Sequence, residues 1–498
     1  MEFFKDIKKI ELSIFTIFSL LIAYYLDKNY MPSEDASILF RYSENLIDTG
    51  VISYNVNGPR TEGATDFLWM IILSIFYFLG FNIYFSSVLI NLFSLYLIIN
   101  LIRKYYSLSN VETYALIFLH FSITHTYAAL GGFSVLFVEL FLVLVIINFL
   151  KGNVINTLLF SFIGCLIRPD FILFIIIPNV INLFKNFNLK NINFFIIFIF
   201  LGLVYFYTRY KYFDLFLPLP FYIKNQWNLF SNIEWGRQII IFSPALLVLF
   251  FSGFSKIFKK NILIFISITL LATAYYTNQI LYQNVGYRFY FYFTVFCIFI
   301  IYEIRSEVKN FRNISKIIII IISFFSIAIN YSQNFNSFKF LNKKIDLYIF
   351  AKDLNGINKD HKLNLATTES GLIPYYSKIN TVDLFGLNSV KFAKKPADGN
   401  LFLSENFDLI VINSSITGDD CESLKVAIEK SRNLELKIAN RNDSWSKFTS
   451  KLLFGIDVSK YDSYLVSYPT NIFINKKSNA YQRLSDAIKK IESKKCNY

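Results

Sequence analysis

Charge is scarce in this chain. Of its 498 residues only 17% are Asp, Glu, Lys or Arg, against about 25% in a soluble globular domain. That scarcity excludes an ordinary soluble enzyme. Cysteine is scarcer still, with four residues, too few for a disulfide scaffold. There are three histidines, and no His, Cys or acid set has the spacing of a zinc site. The polar tail from about 333 to 498 carries no Gly-rich phosphate loop, no internal repeat and no low-complexity linker. Apolar residues dominate instead: 54% of the chain is hydrophobic, with 57 Phe and 33 Tyr, and mean hydropathy is +0.44. These figures describe a polytopic membrane protein. The net charge of +14 fits Lys and Arg gathered in cytoplasmic loops. No basic stripe with interleaved aromatics marks a nucleic-acid partner. Cys165 and Cys297 lie in apolar runs and read as packing residues, whereas Cys421 and Cys496 pair only if the fold brings them together.

Apolar runs and flanking charge give a topology. Lys5, Lys8 and Lys9 precede the run 10–26 with no small-residue cleavage site after it, so this run reads as a retained anchor with its N-terminus in the cytoplasm. Further runs fall near 67–82, 83–102, 112–130, 133–150, 154–167, 171–184, 193–210, 237–254, 261–282, 289–304 and 316–332. Run 67–82 is short of the length needed to span and reads as a juxtamembrane helix on the outer face. Runs 154–167 and 171–184 read as two short helices meeting at Arg168-Pro169-Asp170, where backbone lines a cavity. The basic loops then all fall inside, with about 11 spans and the C-terminus outside. The expected architecture is a polytopic α-helical membrane domain over 1–332, with a first outer loop at 27–82, and an extracytoplasmic α/β domain over 333–498. In that tail the apolar runs Leu363–Ala366, Thr381–Leu384 and Leu409–Ile412 predict strands, and the amphipathic stretches 421–431 and 479–493 predict helices.

The first outer loop carries the chemistry. It opens Pro32-Ser33-Glu34-Asp35, a cap position followed by two acids that suit a positive helix N-terminus, and Gly50 fits the helix stop. Asn57-Gly58 signals a turn. Glu34 and Asp35 read either as a charged helix start or as a general base at the membrane surface. Neighbouring helix residues point about 100° apart, so one of the two faces a given pocket. Arg41, seven residues after Glu34, lies on its face as a candidate orienting partner.

These residues carry a resemblance. Glu34-Asp35-Ala36, Phe40-Arg41-Tyr42, Asn45-Leu46, Gly50, Tyr54-Asn55, Gly58, Arg60, Glu62-Gly63 and Leu68-Trp69 resemble the GT-C glycosyltransferases that use polyprenyl-phosphate sugars, and within them the mycobacterial terminal β-(1→2) arabinofuranosyltransferase family. Later echoes follow in matching order: Arg168-Pro169-Asp170, Leu217-Pro218 through Phe221-Tyr222 and Lys224, Tyr287-Arg288-Phe289, Glu369-Ser370-Gly371 with Pro374-Tyr375, and Asp383-Leu384 with Gly386-Leu387. The resemblance implies transfer of a sugar, with arabinofuranose the family's own, from a polyprenyl-phosphate donor to a cell-envelope glycan, lipid or protein. It implies an inner-membrane enzyme whose active site faces the periplasm or exterior. The composition is not actinobacterial, so an arabinan acceptor does not carry over.

In such a reaction a carboxylate takes the proton of the acceptor hydroxyl, and cations stabilise the lipid phosphate as it leaves. One displacement with one base inverts the anomeric centre. Asp35 is the expected base, with Glu34 second. Lys224 and Arg288 are the expected phosphate ligands, against a bland role as snorkelling charges. Arg168 either serves the substrate or pairs with Asp170. Arg60 either meets the acceptor or holds Glu62, and Tyr287 belongs to the echo beside Arg288. No metal is obligatory, although an acidic pair can take Mg²⁺ or Mn²⁺. His120 and His125, five apart on one span, do not share a face. Trp69, Trp227 and Trp235 read as interfacial anchors or sugar-stacking groups. The competing classes are a lipid-linked-sugar transporter, which asks for internal repeats and broken helices at the midplane, an O-antigen-type polymerase, which asks for a large Arg-rich outer loop late in the membrane region, and a scaffold whose tail binds a partner.

Overall fold

The structure, a computed structural model, describes residues 9–63, 65–224, 260–277, 285–305, 311–332, 342–343, 346–393, 397–414, 420–432, 444–467, 470–491 and 493–496. The helical series begins α1 (Lys9–Asn29), α2 (Glu34–Thr49), α3 (Phe67–Phe78), α4 (Ile83–Tyr106), α5 (Asn110–Ser122), α6 (Thr124–Leu130), α7 (Val135–Leu150), α8 (Val154–Ile167), α9 (Ile172–Lys185) and α10 (Leu189–Phe213). The chain divides into two compact units. One holds Met1–Pro32, Thr65–Phe216 and Lys224–Asn342; the other holds Ser33–Ala64, Leu217–Ile223 and Lys343–Tyr498.

The first unit is helical. Its helices start where the sequence offers caps. The Asn82 side chain accepts from Phe85 N at the head of α4, Ser109 and Glu112 form a reciprocal capping box on α5, and Asn153 and Asn188 cap α8 and α10. Within the bundle α7 packs on both α4 and α8, and its apolar residues are buried on all sides. Three helices among the described residues are long and apolar enough to cross a membrane: Ile83–Tyr106, Leu189–Phe213 and Val285–Arg305. The apolar side chains of α10 stand exposed, Phe200 at 62% and Leu203 at 63%. An apolar face this bare suits hydrocarbon better than water.

Two sequence expectations change here. Run 112–130 is not one helix: the chain leaves the helical conformation at Ile123 (φ −94°, ψ 138°), so α5 and α6 are separate. Trp69 is neither anchor nor platform. It is 1% exposed, its ring lies 5.4 Å from that of Phe137, and its Nε1 donates to Gly132 O at 3.4 Å. Trp227, Trp235 and run 237–254 lie outside the described residues.

The second unit is built on a six-stranded sheet. Its strands are β1 (Asn364–Thr367), β2 (Asn380–Asp383), β3 (Leu409–Asn413), β4 (Tyr461–Ser467), β5 (Thr470–Asn475) and β6 (Lys494–Cys496). Their order is β2-β1-β3-β5-β4-β6. The first three are parallel and the rest antiparallel. Strand β1 lies between β2 and β3, so the connection leaving β1 and the one entering β3 run to opposite sides of it. Such a switch point opens a crevice at the carboxyl ends of parallel strands. Two apolar clusters cover the two sheet faces, one around Ile410, Phe473 and Leu452, the other around Leu365, Ile472 and Leu484. A disulfide joins Cys421 to Cys496, with Cα atoms 5.3 Å apart. Cys165 and Cys297 are free and half-buried.

Candidate active site

Helix α2 begins with Glu34 and Asp35, as the acid pair suggests. Ser33 takes the extended cap conformation (φ −66°, ψ 153°) but its side chain makes no capping bond. Gly50 ends the helix in the left-handed conformation. The Glu34 side chain turns to the loop after β1: Oε1 accepts Gly371 N at 2.5 Å and Oε2 accepts Leu372 N at 2.9 Å. A Cβ on residue 371 would strike the Glu34 main-chain oxygen, so only glycine admits this approach. Burial outweighs the two amide bonds and, with the Asp35 charge, pushes Glu34 up to about 7.

Three further acids share this end of the sheet with Glu34. Asp35 is half-buried beside it. Glu369 stands two residues before Gly371. Burial and the charges of Glu34, Asp35 and Asp383 hold it well above the usual carboxylate range, opposed by a hydrogen bond from Asn413. Asp383 ends β2 and accepts from Phe385 N (3.0 Å), Gly386 N (3.1 Å), Asn388 N (2.9 Å) and Asn388 Nδ2 (2.8 Å). Burial still leaves it raised. The four acids therefore gather at the carboxyl ends of β1 and β2.

Arg41 is 2% exposed and does not orient Glu34. Its guanidinium donates to Tyr54 O (2.6 Å), Pro374 O (2.7 Å), Asn55 Oδ1 (2.8 Å) and Ile379 O (2.7 Å), and lies over the Tyr54 ring at 4.5 Å. The seven-residue spacing places Arg41 on the right face, but the segment 374–379 offers it a better set of acceptors. Tyr54 Oη donates to Ser370 O at 2.6 Å, and Tyr42 Oη donates to Asn388 Oδ1 at 3.1 Å and accepts Gly63 N at 2.9 Å. The Asn57-Gly58 turn forms as read: Asn57 has φ 61°, and Ser53 pairs with Arg60 across it. Arg60 is exposed there; Glu62 is buried, and its carbonyl accepts Leu219 N at 3.0 Å.

The helical unit holds the cationic candidates. Arg168 ends α8 in extended backbone (φ −141°, ψ 122°) before the 3₁₀ turn Pro169–Phe171. It forks onto Asp170 at 3.1 and 2.7 Å, and Tyr276 Oη donates to the same carboxylate at 2.6 Å. The Phe289 ring lies 4.8 Å from the Arg168 guanidinium and 4.8 Å from that of Arg288. Arg288 also lies 4.1 Å over Phe133. Both arginines are 5% exposed. Rings facing guanidinium planes favour the cations in a dry setting. Tyr287 is half-buried and, like Gly286, has positive φ, 51° and 62° respectively. The side chain of Lys224 lies outside the described residues.

The structure thus brings Glu34 and Asp35 together with Glu369 and Asp383, and brings Arg168, Asp170 and Arg288 around Phe289. Glu369 and Asp383 are site members that sequence reasoning missed. Both stood in motif echoes, but no local spacing ties residue 369 to residue 34. Among the described residues no group of three His, Cys, Asp or Glu is arranged to hold a metal ion.

Residues 354–466 match a family described as a domain of unknown function, DUF8728. No curated protein matches the chain. Among solved structures the chain is similar to ArnT from Cupriavidus metallidurans, in its apo state and bound to undecaprenyl phosphate. Each comparison has a TM-score of 0.51 and 10% identity, over 81% of this chain and 93% of that one. At this identity the likeness shows a shared fold.

Proposed function

We propose that this protein is an inverting glycosyltransferase that moves a sugar from a polyprenyl-phosphate donor to a cell-envelope glycan, lipid or protein on the outer face of the inner membrane. The observation that carries this reading is the acid pair at the head of α2, with Glu34 clamped by two backbone amides. A fold shared with a protein solved with undecaprenyl phosphate bound supports it. Both Glu34 oxygens are engaged by amides, so Glu34 anchors the helix start and Asp35 takes the proton of the acceptor hydroxyl. Arg288, with Lys224, meets the charge that develops on the lipid phosphate. Arg168, held by Asp170, lines the same cationic site, and Tyr287 orients the Arg288 turn. Arg60 and Glu62 belong to the acceptor side. The membrane domain takes about 11 spans, N-terminus inside, and the tail 333–498 lies outside. The disulfide favours that side, since such bonds persist in oxidising compartments. Arabinofuranose is the sugar the first-loop resemblance favours.

The test is a transfer assay in membranes with radiolabelled polyprenyl-phosphate sugars, arabinofuranose first, on wild type, Asp35→Asn and Glu34→Gln, with and without EDTA. Transfer by wild type, lost by on the order of a hundredfold or more in Asp35→Asn, is the expected result. Loss in Glu34→Gln alone moves the base to Glu34. Loss on adding EDTA assigns a divalent cation to the site. No transfer from any donor, with lipid binding intact in both variants, points to a lipid-sugar transporter instead.

A further inference from the structure

Three buried titratable side chains in the helical unit have no part in the chemistry above. His120 ends α5, His125 lies on α6 and Glu139 lies on α7; they are 0%, 2% and 0% exposed. The sequence spacing argued against a shared face, but the break at Ile123 swings His125 round. His120 Nε2 lies 3.2 Å from Glu139 Oε1, and His125 Nε2 lies 3.2 Å from Oε2. His120 Nδ1 meets Leu116 O at 2.9 Å. A carbonyl only accepts, so Nδ1 carries a hydrogen. His120 Nε2 and Glu139 Oε1 then share one proton, as imidazolium and carboxylate or as imidazole and carboxylic acid. Either arrangement is neutral overall, which is what allows it to be buried among apolar helices.

The clasp holds α6, and α6 is the surface on which the Arg288 turn rests. A Cβ at Gly286 would lie 2.7 Å from Thr124 O and 2.9 Å from Ala128 Cβ, both on α6. Asn91 Nδ2 on α4 donates to Ala129 O (3.3 Å) in the last turn of α6 and to Phe133 O (2.8 Å) just past it, which fixes the ring beneath Arg288. We propose that the His120–Glu139–His125 clasp is a positioning device for the phosphate-binding turn: it seats α6 between α5 and α7, and α6 sets the place of Gly286 and Arg288. This rests on the reading that Arg288 takes the lipid phosphate.

The experiment measures binding of undecaprenyl phosphate to the full-length protein in nanodiscs, alongside its thermal midpoint. Arg288→Gln tests the underlying reading. If it binds as wild type does, or wild type does not bind, that reading fails whatever the clasp does. Given binding that depends on Arg288, Glu139→Ala, which removes both partners of the histidines, is expected to weaken it by about tenfold or more, the scale on which a displaced orienting group acts. Glu139→Gln keeps both bonds without a charge, its amide donating to His120 Nε2 and accepting from His125 Nε2, and recovers most of the affinity. Glu112→Gln breaks the buried Glu112–Arg305 pair elsewhere in the unit and lowers the midpoint without weakening binding. Gly286→Ala pushes the turn off α6 from the other side and weakens binding with the clasp intact, which keeps the test open if Glu139→Ala does not fold. Unchanged binding in both Glu139→Ala and Gly286→Ala overturns the proposal. So does binding that merely follows the midpoint across all variants, Glu112→Gln included.

Discussion

Glu34 releases its proton at about 7 in the folded chain and near 4.5 when unfolded. Between those values the folded state keeps a proton that the unfolded state has lost. The stability this contributes is complete below about pH 4.5 and disappears as pH rises through about 7. Glu369 shifts in the same direction. Chemical unfolding of the purified protein should therefore show stability falling by up to about 3 kcal/mol from the Glu34 shift alone as pH climbs through this window. Glu34→Gln should flatten the fall, and a wild-type profile that is flat or rises would contradict the placement of Glu34. Arg41 acts in the opposite sense, as pure structure. Its fork serves four oxygens at fixed angles, which a lysine ammonium cannot copy. Arg41→Lys should cost about 2–4 kcal/mol, from buried acceptors left without donors, measured at a pH below the Glu34 transition so that the two effects stay separate.

At the scale of elements, the sequence was informative wherever a signal was local. The Arg168-Pro169-Asp170 break, the short helices on either side of it, the Asn57-Gly58 turn and strands β1, β2 and β3 all follow from neighbouring residues, because caps, proline and apolar periodicity act within a few positions. The break at Ile123 was not legible. No proline or glycine marks it, and it is held instead by the bonds of His120 and His125 to Glu139, which a one-dimensional reading cannot see. The meeting of α2 with the turn 369–372 was equally hidden, since more than 330 residues separate the partners. Its one sequence trace was Gly371. Gly371→Ala should force this turn away from Glu34 and cost about 1–3 kcal/mol, the range for overpacking a tight contact. Transfer should fall with it, through misplacement of the Asp35 helix start. Full activity in Gly371→Ala would show that the turn does not hold α2 in place.

At the scale of the whole molecule, the disulfide and the charge pattern make the same demand on topology from independent physics. In the topology proposed above, Lys and Arg in short loops keep the N-terminus inside, and the Cys421–Cys496 bond is one that an oxidising compartment on the tail's side would preserve. The bond closes a loop with a sequence separation of 75, so removing it frees much entropy in the unfolded chain. Replacing both cysteines with alanine should cost about 4 kcal/mol by the loop-closure estimate. The two free cysteines give an internal contrast: Cys165 and Cys297 close no loop, and their replacement should cost only local packing. Labelling turns this into a test of orientation. In intact cells, or in spheroplasts of a double-membraned host, a membrane-impermeant maleimide should leave Cys421 and Cys496 unmodified until a reductant is added, and then modify both. Labelling before reduction would mean that the tail is reduced. Labelling only after the membrane is broken open would place the tail inside, and the outer-face reaction would then lose its geometry together with the topology.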